Sequence, residues 1–153
     1  MKTPAAPGSL AEKLIGTWSL RSREDYNAAG ERRPEPSLGS DPVALLYFDR
    51  AGNFAAQFMK RDRSSLPAED AVSALPNNSR ARGGYDGYFG TYVVDESTGS
   101  VSTLLLAALS PENVGQTYQR QIRVDGDILT LRLSTATTAG EPVTRTLKWQ
   151  RVG

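Results

Sequence analysis

Apolar and polar residues alternate along most of this 153-residue chain, the pattern expected of half-buried β-strands. The alternation begins at Thr17, with Trp18 and Leu20 in one phase. Seven further strand-like segments follow, at 43–48, 53–60, 85–95, 100–109, 116–124, 128–134 and 143–152. Short turn sequences separate most of them, and Asp125-Gly126 is typical of a tight hairpin. The pattern therefore predicts eight consecutive antiparallel strands.

Two short segments favour helix instead. Ser9 and Glu12 have the spacing of a capping box, which predicts a short N-terminal helix that runs to Ile15. Between residues 61 and 82 the alternation stops, and apolar residues after Pro67 recur at helical spacing, so a short helix is predicted between strands 3 and 4. We expect residues 1–8 to be a flexible N-terminus and residues 9–153 to form a single domain.

Eight strands joined in sequence favour an all-β fold, an antiparallel up-and-down β-barrel. Closure removes the exposed edges of an open sheet, and an eight-stranded barrel has room inside for one small ligand. The alternative architecture is a sandwich of two sheets.

The composition narrows the possible chemistry. The chain has no cysteine and no histidine, so the sequence contains no disulfide, no Ser-His-Asp triad and no His or Cys metal ligands. Neither a metal nor a cofactor is predicted. The formal charge is +1 with the two signs mixed, which argues against a nucleic-acid partner. No signal peptide and no apolar run of about 18 residues is present, so we expect a cytoplasmic protein without a membrane span, its oligomeric state open.

Several short motifs, taken in order, resemble a known family. The matching stretches are Leu14-Ile15-Gly16-Thr17-Trp18, Leu45-Leu46-Tyr47 with Gly52, Arg61-Asp62-Arg63, 88–95, 111–115, Arg120 with 126–131, and Leu147-Lys148-Trp149-Gln150-Arg151. Together they resemble the lipocalin-like domain family of stand-alone bacterial and fungal proteins. The resemblance implies a lipocalin-like barrel in which Trp18 closes one end and Arg151 packs across its indole ring. A guanidinium over an indole contributes roughly 0.5–2 kcal/mol.

One position departs from the family pattern. Many relatives have a pair of histidines on the fifth strand, where this chain has Thr103 and Leu104, followed by Leu105 and Leu106. If that strand lines the cavity, the wall is apolar where relatives carry titratable groups. This substitution favours a mostly apolar ligand over proton transfer through imidazole.

Arg120 is the charged residue that this pattern places inside the barrel. A two-residue turn at Asp125-Gly126 would set Arg120 opposite Leu131 and Ile122 opposite Leu129, on the core face. A buried guanidinium must meet a carboxylate, carbonyl groups or a ligand anion, because burying it alone is costly. Glu24 is a possible partner, and both a structural ion pair and a direct ligand contact remain open.

Aromatic and apolar side chains complete the predicted site. Four tyrosines each supply apolar surface and one hydroxyl, which suits a pocket: Tyr47, Tyr88, Tyr92 and Tyr118. The candidate catalytic residues are Tyr47, Tyr92, Tyr118 and Arg120. The candidate ligand-binding residues are Trp18, Leu20, Leu45, Phe54, Phe58, Phe89, Thr103, Leu105 and Glu24. Packing of the barrel core is the alternative explanation for each aromatic residue.

Two functions of different classes follow. Relatives often occur beside natural-product pathways, so the resemblance implies a cofactor-independent cyclase or isomerase, possibly pericyclic, that acts on a polyketide or terpenoid-type intermediate. Holding a flexible substrate in its reactive conformation can lower the activation barrier of ring closure by several kcal/mol, a magnitude on the order of known proximity effects. The alternative is a non-catalytic carrier that sequesters a hydrophobic metabolite. A barrel with a filled core that binds a protein partner is a third reading.

Overall fold

The computed structural model describes residues 5–63 and 81–153. Its helix α1, Leu10–Leu14, begins after Ser9, whose Oγ accepts a hydrogen bond from the Glu12 N–H at 3.1 Å. The predicted start is therefore confirmed, although the helix ends one residue earlier than expected. A full capping box also has a hydrogen bond from the Ser9 N–H to the Glu12 carboxylate. This part of the prediction is wrong, because the Ser9 N–H donates to the Ala6 carbonyl and the Glu12 carboxylate binds the Arg50 guanidinium at 2.8 Å.

Strands make up most of the described chain. They are β1 (Gly16–Tyr26), β2 (Arg32–Arg33), β3 (Val43–Phe48), β4 (Asn53–Met59), β5 (Tyr85–Asp95), β6 (Ser100–Ala108), β7 (Thr117–Asp125), β8 (Ile128–Ala136) and β9 (Pro142–Arg151). A single 3₁₀ turn, Pro111–Asn113, joins β6 to β7. The eight long strands are those expected from the alternation. The two-residue β2 lies in a stretch that the sequence pattern leaves as loop.

The sheet closes on itself. Each long strand pairs antiparallel with the next, and β1 also pairs with β9 along most of its length. The predicted all-β, eight-stranded antiparallel barrel is confirmed, and the sandwich is excluded because one continuous sheet contains every long strand. β2 adds a short ninth strand against the end of β1. The helix predicted between strands 3 and 4 falls on residues 64–80, outside the described residues.

The hairpin between β7 and β8 corrects one predicted register. Ile122 pairs with Leu131 and Val124 with Leu129, so the two turn residues are Gly126 and Asp127 rather than Asp125 and Gly126. The register is displaced by two residues. Because side chains alternate with a period of two, an even displacement leaves the same residues on the inner face.

One end of the barrel is closed by the predicted pair. Trp18 is fully buried, and the guanidinium carbon of Arg151 lies 4.3 Å from the centre of its indole ring. Gly16 passes directly beside them with φ of +142°, and a Cβ there would lie 2.5 Å from Nη1 of Arg151. The Gly16-Thr17-Trp18 motif is therefore required by close packing as well as by backbone conformation.

The hydrophobic core fills the barrel around both tryptophans, Trp18 and Trp149. Among the helical residues that the structure describes, none belongs to a segment that is both long and apolar enough to cross a bilayer.

Candidate functional site

A cavity lies inside the barrel, with a volume of about 70 Å³. This is less than the roughly 300–1,000 Å³ typical of pockets for drug-sized ligands, so a ligand of that size requires some of the lining side chains to move. Its apolar wall is formed by Leu46, Phe48, Phe54, Phe58, Val101, Leu131, Leu133, Leu147 and Trp149. Its polar wall is formed by Arg23, Asp86, Tyr88, Thr103, Tyr118, Arg120 and Arg145. The cavity is therefore two-sided rather than uniformly apolar.

Aromatic rings hold the apolar side together. The Phe58 ring meets Trp149 edge to face, with ring centres 5.7 Å apart, and tilts against Tyr88 at 6.4 Å. Phe54 lies 5.9 Å from Tyr88 in the same way. Such pairs have preferred geometries and two rotatable bonds each, so they form a wall of defined shape.

Tyr118 and Arg120 form one part of the polar side. Both come from the inner face of β7, and the Arg120 guanidinium carbon lies 5.2 Å from the centre of the Tyr118 ring. The Tyr118 hydroxyl oxygen accepts a hydrogen bond from Nδ2 of Asn113 at 3.0 Å. The Thr103 hydroxyl donates to the Tyr118 backbone carbonyl at 3.3 Å and so joins β6 to β7 at this point.

The pKa values of these two groups keep both protonated near neutral pH. Burial lowers the pKa of Arg120 to about 10, and the positive charge of Arg145 acts in the same direction. Burial raises the pKa of Tyr118, although the hydrogen bond from Asn113 and the charge of Arg120 oppose the increase. The site therefore presents a charged guanidinium and a neutral phenol, both of which are hydrogen-bond donors.

A buried ion pair lies behind the cavity wall. Nε and Nη2 of Arg145 donate to the two carboxylate oxygens of Asp25 at 2.8 and 3.0 Å, and both side chains are almost completely buried. Two parallel charged hydrogen bonds hold the guanidinium in one orientation. Arg145 thus reaches the cavity from β9 in a fixed position.

A second ion pair lies beside the first. Arg23 Nη1 donates to Glu35 at 2.9 Å, and the Glu35 carboxylate also binds the Ser37 hydroxyl and the Leu38 N–H. Burial raises the pKa of Glu35, but the charge of Arg23 and these hydrogen bonds outweigh it and bring the pKa to about 2. Burial lowers the pKa of Arg23, and the charge of Arg145 lowers it further.

The structure brings five of the predicted site residues together on the cavity wall. They are Phe54, Phe58, Thr103, Tyr118 and Arg120. Four of them lie on β4 and β7, where alternation indicates the inner face. Thr103 lies on β6, and its position was indicated by the family pattern.

Four other predicted residues belong to the interior packing but do not line the cavity. The Tyr92 hydroxyl donates to the Asp49 carbonyl at 2.6 Å and its ring packs on Phe48, so it closes the end of a hairpin. Trp18 is covered by Arg151 and donates from Nε1 to the Leu14 carbonyl at 3.0 Å. Leu105 is fully buried, and Leu20 is half-buried against the core.

Glu24 does not face the interior. A bulge in β1 between Leu20 and Ser22 shifts the register against β9, so the inward phase passes to Arg23 and Asp25. The Glu24 carboxylate instead accepts a hydrogen bond from the Tyr26 hydroxyl at 2.7 Å, near the surface. The predicted Arg120–Glu24 partnership is therefore wrong, because alternation was extended through a bulge that reverses it.

Three other residues that were predicted to belong to the site lie on the outer side of the barrel: Leu45, Tyr47 and Phe89. Tyr47 and Leu45 alternate with Leu46 and Phe48, and it is the second pair that reaches the cavity. Phe89 is 56% exposed, because Tyr88 takes the inward position beside it. In these strands neighbouring residues are both apolar, so periodicity does not distinguish the two faces.

The expected apolar wall on β6 is also corrected. Leu104 and Leu106 lie on the outer surface, at 37% and 55% exposure, whereas Thr103 and Leu105 point inward. Of the four residues, only Thr103 lines the cavity. Thr103, at the first histidine position of the family pattern, thus presents a polar side chain to the cavity. The positive charges of the cavity wall come from arginines.

Sequence reasoning missed several residues of the cavity. Asp86 lies on the inner face of β5, and Arg145 and Trp149 lie on that of β9. Tyr88, one of the four tyrosines that the sequence suggested for a pocket, also lines the cavity. The available signal was phase: on the last strand Val143, Arg145, Leu147 and Trp149 alternate with polar residues, which places Arg145 with the apolar set. A charged residue in an apolar phase is an indication of a buried ion pair or a ligand contact.

Comparison with known proteins agrees with this architecture. A model of the lipocalin-like domain family matches residues 15–152. A rice (Oryza sativa subsp. japonica) protein, "9-cis-epoxycarotenoid dioxygenase NCED1, chloroplastic", is 31% identical over 112 residues, which is 72% of this chain. The matched part is 17% of the length of the rice protein, so the chain spans about a sixth of that relative.

Proposed function

Because the chain belongs to the lipocalin-like domain family, we propose that its barrel binds a mostly apolar small molecule and acts on it as a cofactor-independent cyclase or isomerase. The observation that carries this proposal is the two-sided cavity, in which an aromatic wall faces the Tyr118 and Arg120 donors. A polyketide or terpenoid-type intermediate has the matching chemistry, a long apolar skeleton with a carbonyl group.

The aromatic wall would select one folded conformation of a flexible substrate. Phe54, Phe58 and Trp149 are buried and packed against other rings or the core, so they present an apolar surface of defined shape. Holding two ends of one molecule within bonding distance removes the entropy cost that slows a cyclisation in water. A pericyclic ring closure needs no proton transfer, and it is therefore compatible with a wall that lacks histidine.

Arg120 and Tyr118 would contribute by donating hydrogen bonds to a carbonyl oxygen of the substrate. Both are protonated near neutral pH, as their pKa shifts indicate. A donor aimed at an oxygen that gains negative charge in the transition state stabilises that state more than the ground state. These two residues are therefore the candidate catalytic residues, whereas Tyr92 and Tyr47 lie outside the cavity and are not assigned this role.

A test substrate can be chosen from this chemistry. Deca-1,7,9-trien-3-one closes to a bicyclic ketone by an intramolecular [4+2] reaction, in which two C–C bonds form and no atom is lost. Its binding is measured by quenching of the tryptophan fluorescence of the protein, and its conversion by gas chromatography. We expect wild-type protein to accelerate closure, and Arg120→Met and Tyr118→Phe to retain binding but lose about 10- to 100-fold of the acceleration.

The matched control is Arg123→Met, on the same strand but with a side chain that is 78% exposed. It should leave conversion unchanged. Binding without acceleration in the wild-type protein would support the non-catalytic carrier instead and end the enzyme proposal. The dioxygenase activity in the name of the rice relative is not transferred, because the match covers a small part of that protein.

A further inference from the structure

The inner face of β9 carries N–H donors that have no acceptor among residues 5–63 and 81–153. A guanidinium has five N–H groups, and Arg145 directs only its Nε and Nη2 groups to Asp25. Among the described residues, Nη1 of Arg145 has no hydrogen-bond acceptor, although the side chain is 2% exposed and lines the cavity. Trp149 lies four residues further along β9, and its Nε1 is buried and also has no acceptor among the described residues. Both residues are on the cavity wall.

Asp25 determines the position of the Arg145 guanidinium. Asp25 binds one edge of the guanidinium with both carboxylate oxygens, so the opposite end of the group remains available to the cavity. Buried polar groups without a partner are destabilising, whereas a charged hydrogen bond to each of them is strongly favourable. Nη1 of Arg145 is therefore positioned to donate a hydrogen bond to an oxygen atom of a ligand in the cavity.

The charges around this position favour an anion. The positive charge of Arg145 lowers the pKa of both Arg120 and Arg23, so the three guanidinium groups lie near one another on the wall. Asp25 and Glu35 pair with Arg145 and Arg23. Asp86, the acidic residue of the described cavity wall, lies toward Tyr118, whose pKa it raises.

We infer that the ligand carries an anionic oxygen, as a carboxylate or an enolate, and that this oxygen binds Nη1 of Arg145 while the apolar body packs against the aromatic wall. This inference rests on the proposed binding function, because it names the chemical class of that ligand. The ligand is then an amphipathic organic acid or an enolisable ketone rather than a hydrocarbon.

Three probes of nearly identical shape test the inference. They are trans-cinnamate, trans-cinnamamide and trans-β-methylstyrene, which present a carboxylate, a neutral amide and a methyl group on the same skeleton. Dissociation constants come from quenching of the tryptophan fluorescence of the protein. We expect cinnamate to bind about 10- to 100-fold more tightly than β-methylstyrene, the ratio for one charged hydrogen bond, with cinnamamide between them.

The decisive variant removes both members of the ion pair, Asp25→Leu with Arg145→Met. Replacing a buried pair by apolar residues of similar volume is often neutral for stability, whereas removal of one partner is not. The double variant should keep its affinity for β-methylstyrene and lose the preference for cinnamate. Arg123→Gln with Asp125→Asn removes an exposed ion pair without changing net charge, and it should leave the preference intact.

The outcomes separate the two proposals. If wild-type protein binds β-methylstyrene as tightly as cinnamate, the anion inference fails and the apolar binding function stands. A cinnamate preference that survives in the double variant also overturns the inference. If wild-type protein binds none of the three probes, the proposed binding function fails, and the inference fails with it. The comparison of probes on wild-type protein needs no variant, so it holds even if the double variant does not fold.

Discussion

The guanidinium of Arg151 lies across the indole ring of Trp18, with its carbon 4.3 Å from the ring centre, and joins the last strand to the first. Its Nη1 and Nη2 groups also donate to the backbone carbonyls of Ile15 and Lys13, at the end of α1. One side chain therefore connects three elements where the barrel closes.

We expect Arg151→Ala to lower the free energy of unfolding by about 2–4 kcal/mol, since it removes a cation–π contact and two charged hydrogen bonds. Urea denaturation followed by tryptophan fluorescence measures the loss. Arg151→Lys should recover only part of it, because an ammonium group lacks the planar fork. Arg132→Ala, on an exposed position of β8, is the control and should change stability by less than about 0.5 kcal/mol. Equal effects of the two alanine variants would contradict the assigned role.

The buried Asp25–Arg145 pair should show strong coupling. Asp25→Leu alone leaves a buried guanidinium without its carboxylate and should cost about 3–5 kcal/mol of stability. Adding Arg145→Met should restore most of that loss, because no buried charge remains. The coupling energy is obtained from a double-mutant cycle in urea. Additive effects of the two substitutions would show that the pair contributes no mutual stabilisation.

Glu35 should make stability depend on acid pH. Its pKa in the folded state is about 2, below the ordinary value, so its contribution is fully present above about pH 4.5 and is lost as the pH falls toward 2. The difference corresponds to about 3 kcal/mol at most. We expect wild-type protein to lose that much more stability between pH 5 and pH 2 than Glu35→Gln does. Parallel pH profiles of the two proteins would be inconsistent with this assignment.

Gly90 should tolerate no side chain. It lies at a bulge between β5 and β6, where an added Cβ would come 1.8 Å from the Leu104 carbonyl oxygen. Gly90→Ala therefore forces the two strands apart, and we expect a loss of about 2–3 kcal/mol in thermal or urea denaturation. Gly87→Ala, on the same strand, serves as the control, because its Cβ would lie 3.2 Å from the Tyr85 side chain and no closer than 3.9 Å to the Ala56 carbonyl oxygen. A stable Gly90→Ala protein would refute the close approach.

The fold was largely predictable because its signals are local. Alternation, Gly and Asp at the turns, and the Ser9 cap each depend on residues close in sequence, and together they indicate eight strands in consecutive hairpins. Even the hairpin error at Asp125-Gly126 left the inner face unchanged, because the register moved by two. The Trp18–Arg151 pair was predictable from a different source, the resemblance to the family.

The candidate site was predictable only where alternation is strict. On β4 and β7, inward residues such as Phe54, Phe58 and Arg120 are separated by polar or small neighbours, and the cavity contains them. On β3 every residue is apolar, so the choice between Leu45 and Leu46 depends on strand pairing. That information is absent from a single strand and appears only when the sheet closes.

The sequence by itself determined the strand count, the barrel class and the chemical inventory, which lacks histidine and cysteine. Only the tertiary structure decided which charges of β1 face inward and which carboxylate pairs with Arg145. The bulge in β1 exchanged Glu24 for Arg23 and Asp25, and closure of β1 against β9 placed Asp25 on Arg145, 120 residues away. A bulge changes phase by one residue, and ion pairs between distant strands depend on closure. Neither leaves a local pattern, which is why the inward positions of Arg23 and Asp25 and the Asp25–Arg145 pairing emerged from the fold alone.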